Sequence, residues 1–363
     1  MVLVFLFLVS ACQPQPVLIP ETPQPTLTPT PVVSPTPLPE RPVYDPGELV
    51  DYTAQTGDTL TGLAVRFNTT VAEIREVNTI IPQDATTLPP GLPMQIPIYY
   101  EPFWGTPYKI LPNSLFVNGP AQTDFNTKSF VASYPGWLNS YEFFAGKKQR
   151  TGAEVVDYVA TNFSISPRLL LTLLEYQLGA LSDPVPPDDL DLYPLGHASR
   201  EHKSLYMQLV WAANTLNDGY YRWLTGGLET LELSDGTIEP PDPWQNAASV
   251  ALQYYFSHYF SKEDYQNAIS QVGFAQTYRD FFGDPWIVDS HIPGSLRQPE
   301  MSLPFEDGKT WALTGGPHTG WGTGQPWAAL DFAPPGISGC DPSNEWATAV
   351  ASGLVTSSEP GIV

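Results

Sequence analysis

Histidines, carboxylates and cysteines are the side chains of this chain whose types and spacing could do chemistry. The five histidines stand at 197, 202, 258, 291 and 318. His197 and His202 are five apart, not the four that would set two ligands on one helix face, so they do not read as a zinc motif. No His-x-His occurs anywhere. Asp188, Asp189 and Asp191 lie in a proline-rich stretch and read as solvated loop charges. Glu175 closes the apolar run Leu169 to Leu174. A carboxyl group there could protonate a glycosidic oxygen only if burial raised its pKa. His318 and Asp331 belong to a different setting, a Gly-rich segment near the end of the chain. Cys12 and Cys340 are the two cysteines.

The elements that must position these groups are bounded by composition. The chain has 363 residues with 38 acidic against 16 basic, a formal charge of −22. That length suits two or three domains. The acidic balance excludes a nucleic-acid binder, which needs a basic stripe to displace counterions. A charged fraction of only 15%, 40 prolines and 12% aromatic residues suit an extracytoplasmic, carbohydrate-facing protein. Val2 to Val9 is apolar throughout, far shorter than the ~20 residues that span a bilayer and of the length of a secretory signal core. Val9-Ser10-Ala11-Cys12 resembles a lipobox, which implies lipidation of Cys12 after a signal at 1–12. No Lys or Arg precedes Arg41, so the usual basic start is missing and the reading frame is expected to begin upstream. Residues 13–48 hold 12 prolines and read as an extended, disordered spacer, which at ~3.1 Å per residue gives reach from a membrane.

Residues 49–99 read as strand, helix, helix, strand. Leu49 to Thr53 alternates, and Asp58 and Thr59 are N-cap types. Leu60, Leu63, Ala64 and Phe67 have helical spacing, as do Val71, Ile74 and Val77. Met94 to Ile98 is the returning strand. This β-α-α-β unit resembles the LysM domain at Tyr52, Gly57-Asp58-Thr59-Leu60, Ala64, Phe67, Val71, Ile74, Asn78, Pro90-Gly91 and Ile96-Pro97. The resemblance implies binding of peptidoglycan or another N-acetylglucosamine-containing glycan. It implies a groove between Gly57, Asp58, Thr59 and Leu60 on one side and Asn78, Ile80 and the long loop Thr79 to Thr87 on the other.

Residues 100–150 show no clear period and read as a connecting segment. From 151 to 290 the pattern is that of an all-α domain. Ser166-Pro167 starts a helix with Pro in its first turn, and further helices are expected at about 201–224, 244–260 and 262–282. The run from Arg168 to Gly179 faintly resembles the catalytic helix of lysozyme-like transglycosylases. The resemblance puts Gln177 where that family's glutamate belongs, and Glu175 two residues early, on another face. An amide cannot donate the proton, so an inactive relic of that fold or an unrelated helical spacer is expected.

The segment 291–363 resembles the start of the mainly-β M23 (lysostaphin-like) peptidase domain. The matches are His318, Asp331-Phe332-Ala333-Pro334, and Ala349 through Gly353 to Val355. The resemblance implies that His318 and Asp331 are zinc ligands. Zinc takes neutral imidazole and carboxylate, with three protein ligands and an open position for water. The family's third ligand and general base come from a later His-x-His, which this chain lacks. Twelve residues separate His318 from Asp331 where the family usually has three, so Thr319 to Gln325 is expected to loop out. The chain stops in mid-strand, and with Cys12 lipidated Cys340 is left single; both lead to the expectation of a fragment, inactive by itself.

The whole is therefore expected to be multidomain α+β: a LysM module, a helical middle with a faint lysozyme-like resemblance, and the start of an M23-like domain. The leading functional expectation is a lipid-anchored, extracytoplasmic zinc endopeptidase acting on peptidoglycan cross-links. The alternatives are a non-catalytic LysM protein that recruits another hydrolase, and a glycan-strand hydrolase using the helical domain.

Overall fold

The computed structural model describes residues 42–85, 87–99, 104–287, 299–320, 322–324, 327, 329–336, 341–353, 355 and 358. Cys12, the spacer up to residue 41, His291 and Cys340 lie outside the described residues.

The first unit is built as the periodicity requires. Strand β1 (Glu48–Thr53) is followed by helices α1 (Leu60–Arg66) and α2 (Val71–Val77) and strand β2 (Pro93–Ile98). β1 and β2 pair antiparallel, from Glu48 opposite Ile98 to Thr53 opposite Pro93. Alternation turns Val50, Tyr52, Met94, Ile96 and Ile98 onto Leu63, Phe67 and Ile74. Thr59, not Asp58, caps α1: its hydroxyl accepts from the Gly62 N–H at 3.0 Å. Thr70 and Glu73 form a reciprocal capping box on α2.

A larger core follows. In chain order it comprises α3 (Thr127–Ala132), the hairpin β3 (Glu142–Ala145) and β4 (Lys148–Thr151), α4 (Gly152–Phe163), α5 (Pro167–Leu178) and α6 (Leu205–Thr225). The short pair β5 (Leu231–Glu232) and β6 (Ile238–Glu239) comes next, then α7 (Ala247–Ser257), α8 (Lys262–Ala268) and α9 (Phe274–Phe282). The middle region is thus mainly helical with two small antiparallel hairpins, not all-α. The expected last helix is two, parted by a turn in which the Gly273 N–H donates to the Ser270 carbonyl at 3.2 Å. Ile110, Leu111, Leu115, Phe116, Trp137 and Leu138, from the segment read as a connector, are buried in the same core as α4 to α7. Their aromatic and turn-rich spacing has no single period because they wrap the helices instead of forming one.

The last described elements are β7 (Ala312–His318) and β8 (Ala329–Ala333), an antiparallel pair with irregular register. Little covers them: Leu313, Leu330, Trp327 and Trp346 are all exposed. Among the described residues no helix is long and apolar enough to cross a membrane.

Candidate functional site

Two places gather the residues singled out by type. The first is a groove of about 200 Å³ on the small unit. Thr59, Leu60 and Thr61 form one wall, Ala85, Thr87 and Leu88 the other, and Val71 and Arg75 the floor. The far wall is braced by Arg75, whose Nη1 donates to the Pro82 carbonyl at 2.5 Å and Nη2 to the Ala85 carbonyl at 3.5 Å. Leu60 lines this groove as expected, and Ile80 is 65% exposed on the loop after α2.

Of the other expected groove residues, Thr59 also lines the groove, whereas Asp58, Asn78 and Gly57 turn elsewhere. Asp58 is buried; its carboxylate accepts from the Tyr52 hydroxyl at 2.6 Å and the Gln55 N–H at 2.7 Å, and pairs with Arg66 at 3.0 Å. Burial and the Asp58 charge push the Tyr52 hydroxyl far above its ordinary range. Asn78 is also buried, with Nδ2 donating to the Ile74 and Gln95 carbonyls and Oδ1 accepting from the Gln95 N–H. It ties α2 to β2, so its side chain is not presented to a ligand. Gly57 faces Leu224 of α6, where a Cβ would come to 3.1 Å. Sequence reasoning missed Arg75 and Thr61, which carried no motif.

Gly57 is covered because the small unit is docked on the C-terminal end of α6. The last carbonyls of a helix lack intrahelical partners. Here the Thr59 hydroxyl donates to the Leu224 carbonyl at 2.7 Å, and Arg66 Nη2 to the Trp223 carbonyl at 3.2 Å. A cation at this end also complements the helix dipole, and the Arg66 guanidinium lies 4.5 Å from the Trp223 ring centre. Gly62 permits the approach, since a Cβ there would overlap the Leu224 carbonyl oxygen. Trp244 adds its ring against Phe67 and donates from Nε1 to the Asp51 carbonyl at 3.1 Å.

The second place is the β7–β8 pair. His318 ends β7 opposite Ala329, and Asp331 lies opposite Gly315. Despite the twelve intervening residues, His318 Nε2 comes to 3.0 Å from Asp331 Oδ2. Gly315 makes room for that carboxylate, which a Cβ would meet at 2.5 Å. The Thr319 carbonyl on Nδ1, followed by Asp331 on Nε2, raises the His318 pKa above its ordinary value. Any cation on this nitrogen must displace that proton. With bonds of ~2.0–2.1 Å, two ligand atoms of a tetrahedral zinc stand ~3.3 Å apart, so the pair needs only a small opening to share one ion. As a donor set it is incomplete: among the described residues no three His, Cys, Asp or Glu side chains gather as a metal site.

The acid considered in the helical region is structural. Glu175 Oε2 accepts from the Leu181 and Ser182 N–H groups and Oε1 from the Ser182 hydroxyl, closing the turn after α5. Gln177 accepts from the Tyr255 hydroxyl at 2.8 Å.

Comparison with known proteins separates the same parts. The family model "LysM domain" matches residues 52–97. The model "LasA, N-terminal domain" matches residues 109–295, more than half of the chain. The chain belongs to the LasA N-terminal domain family. Two relatives, each named Protease LasA, come from Pseudomonas aeruginosa strains UCBPP-PA14 and PAO1. Each is 26% identical over 209 residues, covering 53% of this chain and 48% of the relative. The chain thus spans about half the length of the curated relatives it matches. No solved structure matches it. The helical region that resembled a transglycosylase only faintly is accounted for by this family match.

Proposed function

We propose that this protein is an extracytoplasmic, peptidoglycan-binding member of the LasA N-terminal domain family that serves a zinc-dependent, M23-like peptidase activity on peptidoglycan cross-links. The groove beside α2 grips an N-acetylglucosamine-containing strand through backbone groups and the Leu60 side chain. His318 and Asp331 contribute two zinc ligands; bound zinc would polarise a scissile carbonyl and activate water. Cys12 bears the lipid that holds the protein at the envelope. The observation that carries the reading is the juxtaposition of His318 and Asp331 at 3.0 Å across paired strands, in a chain that also holds a LysM domain. Relatives named as proteases support the peptidase class.

The second reading is a non-catalytic envelope protein that binds peptidoglycan and recruits another hydrolase. It is favoured by the gathering of only two ligand-type side chains among the described residues.

The experiment uses the full chain with insoluble peptidoglycan and zinc. Sedimentation with the wall should be largely insensitive to salt and lost in Thr61→Trp, which fills the groove. If Thr61→Trp still sediments, the glycan site lies elsewhere. Release of new amino groups from the wall, abolished by Asp331→Ala, supports the peptidase. Zinc that binds the parent and not Asp331→Ala keeps the peptidase reading with or without release; wall binding with no zinc bound leaves the recruiting role.

A further inference from the structure

Helix α6 carries both candidate sites. Its C-terminal carbonyls hold Thr59 and Arg66 of the LysM unit. Farther back along the same helix, Asn214 meets the loop that joins His318 to Asp331. The Thr323 N–H donates to Asn214 Oδ1 at 2.8 Å, and Asn214 Nδ2 donates to the Thr323 hydroxyl at 3.3 Å. The residues flanking Thr323 are both glycine. A Cβ on Gly322 would overlap Asn214 Oδ1, and its φ of +55° is one that side chains disfavour. A Cβ on Gly324 would come to 2.5 Å from Asp218 Oδ1, one turn along α6. The Thr319 hydroxyl closes the loop on itself by donating to the Gly322 carbonyl at 3.3 Å.

A hairpin connection usually takes ~2–5 residues, whereas the strands β7 and β8 here are joined by residues 319–328. A loop of that length does not by itself orient the strands that it joins. Clasped at Thr323, it ties the hairpin to a long helix with a buried inner face. At ~1.5 Å rise per residue, Asn214 and Leu224 stand ~15 Å apart along the axis.

We propose that α6 is a rigid spacer that sets the distance between the glycan groove and the His318–Asp331 pair, with Asn214 as the positioning residue at the pair's end. The functional meaning rests on the metal-pair reading above. A wall strand gripped at the groove then meets the pair at a distance fixed by a helix instead of a flexible linker. This selects which stem peptide along the strand is presented.

The test uses the zinc-free full chain. Exchange of the Thr323 amide hydrogen should be slow, and Asn214→Ala should speed it on the order of tenfold, the loss of about one hydrogen bond. Gly322→Ala should do the same from the other side of the clasp. Asn214→Asp keeps an acceptor for the amide and should retain most of the protection. Spin labels at Glu76→Cys on α2 and Leu330→Cys on β8, with Cys12 and Cys340 replaced by serine, should give one narrow distance that broadens in Asn214→Ala. Equal Thr323 exchange in parent and Asn214→Ala, or a distance distribution unchanged by that substitution, overturns the spacer. If zinc fails to bind while both readouts respond, the metal reading falls and the spacer stands.

Discussion

Two acid–base contacts of this protein have the same length and opposite surroundings. Asp58 and Arg66 meet at 3.0 Å with side chains 2% and 1% exposed. His318 and Asp331 also meet at 3.0 Å, with side chains 49% and 57% exposed. The first pair sits at the seam between the LysM unit and α6, its remaining bonding capacity largely taken by Tyr52, Gln55 and the Trp223 carbonyl. The second lies on a thin hairpin with room on one side. A buried pair is costly to desolvate and stays because its neighbours satisfy most of it, here all but the buried Arg66 Nε. An exposed pair contributes little to stability, so its geometry is available for a ligand. Distance alone does not distinguish structure from function; the surroundings do.

The largest expected effect breaks the buried pair. Asp58→Ala strands Arg66 in the seam and should cost about 3–5 kcal/mol of unfolding free energy, read from urea denaturation. A loss of only ~1 kcal/mol would return Asp58 to the helix-cap role that its type suggests. Next, Gly62→Ala forces a methyl group against the Leu224 carbonyl and should cost about 1–3 kcal/mol. If its unfolding midpoint equals the parent's, the LysM unit is not seated on α6 as described. Arg75→Ala leaves both pairs intact but frees the far wall of the groove. It should cost about 1 kcal/mol of stability and weaken peptidoglycan binding measured by sedimentation. The smallest effect on stability belongs to the exposed pair: His318→Ala and Asp331→Ala should unfold with the parent's midpoint. Both should lower zinc retention after dialysis, and sedimentation with peptidoglycan should remain. A large drop in midpoint from either would make the hairpin pair structural, like its buried counterpart.

The residue pattern by itself was enough for the LysM element order, because strand alternation and helical spacing are local and each face has one core to meet. It sufficed also for the helical character of α4 to α7, whose apolar runs are long. Thr59 and Asp58 were indistinguishable by type as caps; only the fold decided, by turning Asp58 inward to a buried cation and leaving Thr59 at the helix start. Asn78 carried the family pattern in sequence, and its place between Ile74 and Gln95 shows why that position holds an amide: it bonds two elements at once. The docking of the LysM unit on α6 had no local signature. It depends on helix-end carbonyls meeting Thr59 and Arg66 from a segment more than 150 residues away in sequence. The nearness of His318 and Asp331 was likewise a matter of tertiary structure, since strand pairing across an irregular loop brings together groups that spacing holds apart.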